Sequence, residues 1–463
     1  MSKQQKNGSI IAIITMFFLY AMISFVTNLG APIGVIWKNQ PEIGGSNVLG
    51  IMGNFMNFFA YLFMGIPAGK MLTKVGYKKT ALIGIAVGFF GVLIQYLSGF
   101  SGGIPGFCIY LLGAFVAGFS VCILNTVVNP MLNLLGGGGN RGNQLNLIGG
   151  TLNSLAGTMT PMLVGALIGQ VVTMNDVIEK KSIVVDGVSR LATAADITQM
   201  SDVNLVMFIA MAVFAAAFVI LSFIPIKDPE MGKVTADTVF EHSPWSFRHC
   251  LLGVIAIFVY VGVEVGIPGG LNFYLSDTTA RGAWINPDAI VNAATIGGAV
   301  AAMYWLLMLV GRLCSSFIAG KVSSRQLMLF TTFVGMILIV AAMLTPKSVT
   351  VSMPLFSILE GKLTWATVPL SALLLVLVGL CTSVMWPSIF NLATEGLGKY
   401  TAQASGIFMM MVVGGGVLPV VQNFFADFMG YMPSYFVYLI AMAYMFYYAL
   451  HGCKNVNKDI PVD

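Results

Sequence analysis

Residues 255–275 read Ile-Ala-Ile-Phe-Val-Tyr-Val-Gly-Val-Glu-Val-Gly-Ile-Pro-Gly-Gly-Leu-Asn-Phe-Tyr-Leu. A run of about 20 apolar residues crosses a bilayer as a helix, and this one carries a single charge, Glu264. A carboxylate in hydrocarbon costs roughly 2.5–3.5 kcal/mol on insertion scales, so it normally faces a cavity and marks an ion or substrate path. The stretch has a counterpart near the N-terminus. Residues 28–34 read Asn-Leu-Gly-Ala-Pro-Ile-Gly and residues 264–270 read Glu-Val-Gly-Ile-Pro-Gly-Gly. Asn28 and Glu264 therefore hold the same place in two copies of one unit.

The rest of the chain is of the same kind. It is 57% hydrophobic and only 9% charged, against about 25% charged in a soluble domain, which excludes a soluble protein. Apolar runs mark twelve spans, at 10–37, 48–72, 80–98, 107–135, 145–174, 203–225, 249–275, 290–318, 327–345, 365–394, 404–427 and 434–452. They are numbered 1 to 12 below. The first is too long for a signal-peptide core and has no small-residue cleavage site after it. The six cysteines have no paired spacing, so neither a disulfide framework nor a zinc site is expected. The net charge of +5 does not point to nucleic acid, because the basic residues sort by membrane side.

With both termini inside, fifteen Lys and Arg fall in inner segments, seven fall in outer loops and Arg312 falls within span 8. Basic residues are retained on the cytoplasmic side, so both termini are expected in the cytoplasm and loop 175–202 outside. That loop carries Val184-Val185-Asp186-Gly187-Val188, and Asp-Gly between β-formers predicts a small hairpin.

A duplication runs through the spans. Residues 127–136 align with 384–393, which superposes Pro130 on Pro387, and Gly149 falls on Gly406 at the same offset. Pro32, Pro130, Pro268 and Pro387 thus pair across the copies and predict bends in spans 1, 4, 7 and 10. The expected organisation is an all-α membrane protein of twelve helices in two pseudo-symmetric six-helix bundles. The N-terminal bundle covers 1–225 and a central cytoplasmic linker covers 226–248. The C-terminal bundle with its cytoplasmic tail covers 249–463. Parallel repeats of this kind place a substrate site at mid-membrane between the halves.

Gly65-Ile-Pro-Ala-Gly-Lys70-Met-Leu-Thr-Lys74-Val-Gly76-Tyr-Lys78-Lys79 resembles the loop between spans 2 and 3 of the major facilitator superfamily. Its glycines permit close packing at an inner gate, where Lys70 and Lys74 face the anionic inner surface. Asn129-Pro130, Gly262-Val-Glu264-Val265, Gly311-Arg312 and the block from Trp386-Pro387-Ser-Ile389-Phe390 to Gly396-Leu-Gly398-Lys399-Tyr400-Thr401 resemble the fucose/glucose–galactose family of sugar–cation symporters. The likeness covers nearly the whole chain. The proton-coupled fucose branch carries an Asp near the position of Gly30–Ala31 and a Glu at the position of Asn125. This chain has neither, and it matches the hexose-type branch at Glu264.

The interior is rich in amides. An uncharged polyol needs many donors and acceptors and no fixed opposing charge, which makes Asn28, Asn125, Asn153 and Asn272 the preferred substrate residues. The resemblance implies the same for Asn153. The competing reading of each amide is a helix–helix hydrogen bond. Trp386 offers a flat face to a sugar ring beside a helix-bending proline, and Trp305, Tyr304 and Phe273 are further aromatic candidates. Glu264 is the expected coupling residue for a proton or Na⁺, or else an acceptor for a sugar hydroxyl or a structural partner of Arg312. Arg312 itself, nearer the inner end of span 8, is read as an anchor of the inner gate through helix ends or a carboxylate. No nucleophile–base pair or metal-ligand cluster is present, and no phosphate loop. The sequence therefore reads as a secondary transporter of the bacterial inner membrane, monomeric, without a bound cofactor, importing a neutral hexose-like monosaccharide by cation symport. The rival readings are a nucleoside or amino-sugar transporter, a drug antiporter and a polytopic receptor.

Overall fold

The computed structural model describes residues 3–135, 139–185, 188–223, 241–276, 284, 293–318, 322–358, 361–457 and 459–461. Most of the expected linker, and the Asp186-Gly187 turn, lie outside these residues. Among the described residues, eleven helices are long and apolar enough to cross a membrane. Spans 2 and 3 form one 47-residue helical element, Met52–Ser98, folded at Gly76 (φ 83°, ψ 173°). Only glycine takes that backbone conformation without a Cβ penalty. The segment before this fold, 52–75, supplies the twelfth crossing.

Prolines mark the breaks in spans 1 and 10. Proline lacks the N–H that would bond the carbonyl four residues earlier. Span 1 is accordingly split into Lys3–Thr27 and Gly30–Lys38, with the break at Asn28, four residues before Pro32. Span 10 is split into Leu370–Thr382 and Met385–Thr394, with the break at Ser383, four residues before Pro387. The helices of spans 4 and 7, Gly103–Leu135 and Arg248–Ser276, run on through Pro130 and Pro268. In span 11, Pro419 leaves the Gly415 carbonyl unbonded within its helix, and the Asn54 Nδ2 of span 2 donates to it at 2.9 Å.

Close packing between the two sequence halves rests on small residues, as in other membrane bundles. Span 5 (Gly139–Ile168) lies against span 8 (Ala293–Ile318). A Cβ on Gly298 would stand 2.2 Å from the Pro161 carbonyl oxygen, and one on Gly165 would stand 2.4 Å from that of Ala294.

Spans 5 and 10 differ from expectation by five residues or more. Span 5 begins and ends six residues earlier than the hydropathy pattern placed it, because its first turns are polar. Span 10 begins at Leu370 rather than 365, since Lys362–Pro369 is a strand paired with Thr350–Ser357. The expected hairpin in loop 175–202 is present as Ser182–Val185 and Val188–Leu191. Its neighbour Asp176 accepts from Thr173 and Lys181. Burial pushes the Asp176 carboxyl up, but these bonds outweigh it and hold the group below the usual carboxylate range. The staple is therefore present at neutral pH and is lost as pH falls through that lowered value.

Gly298→Val should prevent the spans 5 and 8 from meeting. A Cβ on Gly406, by contrast, would meet nothing within 4 Å. Overpacking costs typically 1–3 kcal/mol or more, so Gly298→Val should lower the melting temperature of purified protein by several degrees, with Gly406→Ala unchanged. Equal melting temperatures for all three proteins would refute the packing role of Gly298.

Candidate functional site

A cavity of about 610 Å³ lies between the two sequence halves, within the usual size range of ligand sites. Its walls come from the middles of spans 1, 2, 4, 5, 7, 8, 10 and 11, and it extends to Val322 and Ser324 on the side of the chain termini. Glu264 and Arg312 meet in it. The Arg312 Nη2 donates to Glu264 Oε1 at 3.2 Å, and the two side chains are 21% and 14% exposed respectively. The Arg312 Nη1 donates to Ser154 Oγ at 2.8 Å and to the Gly150 carbonyl at 3.2 Å, both on span 5. Arg312, in the last third of span 8 (Ala293–Ile318), thus lines the cavity and meets the carboxylate. Its guanidinium links span 7 to a helix of the other sequence half.

The amides are held at one end and offered at the other. Asn28 donates to the Ser24 carbonyl at 2.9 Å and Asn125 to the Tyr61 hydroxyl at 2.7 Å. Asn153 donates to the Tyr20 carbonyl at 3.1 Å. Asn129 donates to the Asn125 carbonyl at 3.1 Å and accepts from the Tyr20 hydroxyl. Among the described residues, the side-chain oxygens of Asn28, Asn125 and Asn153 accept no protein hydrogen bond, and all three residues line the cavity. Helix tie and cavity wall are therefore not exclusive roles. One end of each amide fixes its direction and the other is free to accept from a hydroxyl.

Trp386, Pro387 and Asn391 of span 10 also line the cavity, as does Trp305 of span 8. Trp386 sits 6.1 Å from the Tyr260 ring, centroid to centroid. Tyr304 does not face the cavity, since its hydroxyl is bonded to Thr382 at 2.9 Å. Lys70 and Lys74 are exposed on the loop side of span 2 and do not line the cavity, and neither does Pro130.

Asn272 departs from the expected set. It follows Glu264 by eight residues, which on a helix keeps the same face but rises about 12 Å. It lines a separate small cavity of about 20 Å³ that shares Asn28 and Trp305 with the large one. Its side chain is 2% exposed, its oxygen takes the Ser276 hydroxyl, and its Nδ2 has no partner.

Sequence reasoning missed Tyr20, Ser24, Thr27, Tyr61, Ser154 and Ser388. For the first three a signal existed. Residues 20, 24, 27 and 28 recur at helical spacing in an otherwise apolar span and form one polar stripe. It also missed the seal on the far side from the termini. Lys38, counted as an outer-loop residue, is 1% exposed. It donates to Asn47 Oδ1 and, at 2.7 Å, to the Tyr431 hydroxyl, with Phe273 and Tyr431 rings each 5.4 Å away. Asp427 of span 11 accepts from the Asn47 backbone N–H at 3.0 Å and from Ser46 Oγ at 3.3 Å. These contacts join the start of span 2 and the end of span 1 to spans 11 and 12.

The profile of the Major Facilitator Superfamily matches residues 8–420. This chain belongs to that superfamily. It is 28% identical over 458 residues to a glucose/galactose transporter of Brucella abortus biovar 1 (strain 9-941), covering 98% of this chain and 97% of the relative. It is 21% identical over 433 residues to the L-fucose-proton symporter of Escherichia coli (strain K12), covering 91% and 87%. A crystal structure of the superfamily transporter FucP in the outward conformation matches with a TM-score of 0.64 and 18% identity, covering 96% of this chain and 99% of that one. That likeness concerns the fold.

Asp427→Ala removes the acceptor that ties span 11 to the start of span 2. A hydrogen bond to a charged group contributes about 1.5–3 kcal/mol. Opening on this side should become roughly tenfold or more frequent, since each 1.4 kcal/mol is a factor of ten. A cysteine replacing Ala31, whose Cβ faces Gly269 across the halves, should then react correspondingly faster with an impermeant maleimide in a Cys108→Ser background. An unchanged rate would show that Asp427 does not hold this side closed.

Proposed function

We propose that this protein is a secondary active transporter that imports a neutral hexose together with a proton or Na⁺ by alternating access. The observation that carries the reading is the amide-lined cavity around a single neutralised charge pair, Glu264 with Arg312. A cavity with free amide oxygens and no net charge suits the hydroxyls of a monosaccharide and disfavours an ionic substrate. The names borne by the full-length relatives point the same way. Asn28, Asn125 and Asn153 are the proposed sugar acceptors, and Trp386 the proposed stacking face.

Glu264 is the proposed coupling residue. A carboxylate without its countercharge is costly in the membrane, and Arg312 supplies that countercharge when the cation has left. Proton or Na⁺ binding neutralises Glu264 instead and frees Arg312 from it. Because Arg312 also holds Ser154 and Gly150 of span 5, this exchange is felt across the two halves. The proposed orientation places both termini in the cytoplasm of a bacterial inner membrane, supported by the fifteen-to-seven distribution of Lys and Arg. In that orientation the cavity reaches the cytoplasmic side, and the separate contacts of Lys38 with Asn47 and Tyr431 and of Asp427 with Ser46 and Asn47 close the outer one. The two bundles, 1–225 and 249–463, are the proposed rocking bodies, and the monomer is the proposed unit.

Glu264→Gln keeps shape and most hydrogen bonding but cannot take up a proton or hold a cation by charge. In sealed vesicles it should abolish uphill accumulation of labelled hexose while exchange of hexose across the membrane persists, because exchange does not require return of the empty carrier. Normal gradient-driven accumulation by well-folded Glu264→Gln protein would remove Glu264 as the coupling residue.

A further inference from the structure

The hairpin between spans 9 and 10 has one covered apolar face and an uncovered face that is apolar toward the turn, with Ser352 and Thr367 nearer its base. Its strands, Thr350–Ser357 and Lys362–Pro369, pair antiparallel with Val351 opposite Val368 and Met353 opposite Ala366. Met353, Leu355 and Val368 on one face are buried in the main core, where the hairpin packs against spans 8 and 10. The alternation of a strand sends Pro354, Phe356, Leu363 and Trp365 to the other face. There Phe356 stands opposite Leu363 and Pro354 opposite Trp365. Trp365 is 67% exposed, Leu363 62% and Phe356 42%. A hairpin standing in water would be polar on this face. A contiguous exposed apolar patch marks an interaction surface.

The neighbouring helix identifies what that surface meets. Span 9, Ser324–Leu344, exposes Phe330, Phe333, Ile337, Val340 and Leu344. Their spacing of three, four, three and four residues is one helical stripe, and in a membrane-spanning helix an exposed apolar stripe faces lipid. The 21-residue helix is about 31 Å long at 1.5 Å per residue, which matches the hydrocarbon thickness. The stripe therefore reaches the bilayer boundary at Leu344, six residues before the hairpin begins. Lys347 and Lys362 lie at the base and the tip of the hairpin.

We propose that the face formed by Phe356, Leu363 and Trp365 is a membrane anchor, seated at the headgroup–acyl boundary of the leaflet at the C-terminal end of span 9. The occupant is the phospholipid surface itself. Tryptophan is enriched at this depth. The anchor bears on transport through span 10. The Leu370 backbone N–H, the first of that span, donates to the Val349 carbonyl at 2.9 Å. The hairpin thereby fixes the bilayer end of the span whose other half presents Ser383, Trp386 and Asn391 to the cavity. The inference does not depend on which substrate the cavity takes.

The test uses full-length protein in vesicles of phosphatidylethanolamine and phosphatidylglycerol, with exposed Cys108 and Cys314 replaced by serine. A spin label is placed singly at Phe356→Cys, Leu363→Cys and Trp365→Cys, with Ser189→Cys in the other hairpin as the aqueous reference. Relaxation by lipid-soluble oxygen is compared with relaxation by a water-soluble nickel chelate. The three hairpin labels should show a higher oxygen-to-nickel ratio than the label at 189, with loss of nickel access at all three. Nickel-dominated relaxation at these positions would show that the face stands in water. Protection from both reagents would show that protein covers it. Either result overturns the proposal.

Discussion

The ion pair between Glu264 and Arg312 sets the terms for everything around it. Two charges 3.2 Å apart within a membrane bundle survive only with good geometry and further hydrogen bonds, since desolvation rivals their attraction. Arg312 meets that need through Ser154 and the Gly150 carbonyl. Span 8 must then lie close to span 5, and small residues at Gly165, Ala294 and Gly298 allow it. Removing one member of such a pair costs about 3–5 kcal/mol. That is large enough for loss of the pair to matter to the whole assembly.

The prolines give the same region its second property. Pro32 and Pro268 leave the carbonyls of Asn28 and Glu264 without their usual helical donor. The two equivalent site residues therefore sit at equivalent defects. Ser383 stands in the same relation to Pro387 and lines the cavity. The Gly415 carbonyl, exposed by Pro419, receives the Asn54 amide from span 2. Polar backbone at membrane depth is tolerated where it lines a cavity or finds a partner, and both outcomes occur here.

The spans, the duplication and the place of Glu264 within a span were legible because each is written in hydropathy and spacing along one segment. Asn28, Asn125, Asn153 and Trp386 were legible as polar or aromatic breaks in apolar runs. What sequence could not give was depth. Arg312 reads as close to a span end, and its partners Glu264 and Ser154 are 48 and 158 positions away. Asn272 shares a helix face with Glu264 but lies two turns on and lines the small neighbouring cavity. Lys38 reads as a loop residue because its partners, Asn47 and Tyr431, are 9 and 393 positions away. The hairpin at 350–369 was hidden for another reason. With apolar residues on both faces, Leu363 to Pro369 has no polar alternation to separate it from the helix that follows.

The central claim is that the cavity moves a neutral hexose at the expense of a cation gradient. Its most direct measurement is accumulation of labelled glucose and galactose by purified protein in sealed vesicles, with proton and Na⁺ gradients imposed separately. Uphill uptake should appear under one of the two gradients, vanish when that gradient is dissipated, and be competed by neutral hexoses but not by nucleosides. Uptake that needs neither gradient, or a nucleoside preferred over every hexose, would contradict the account.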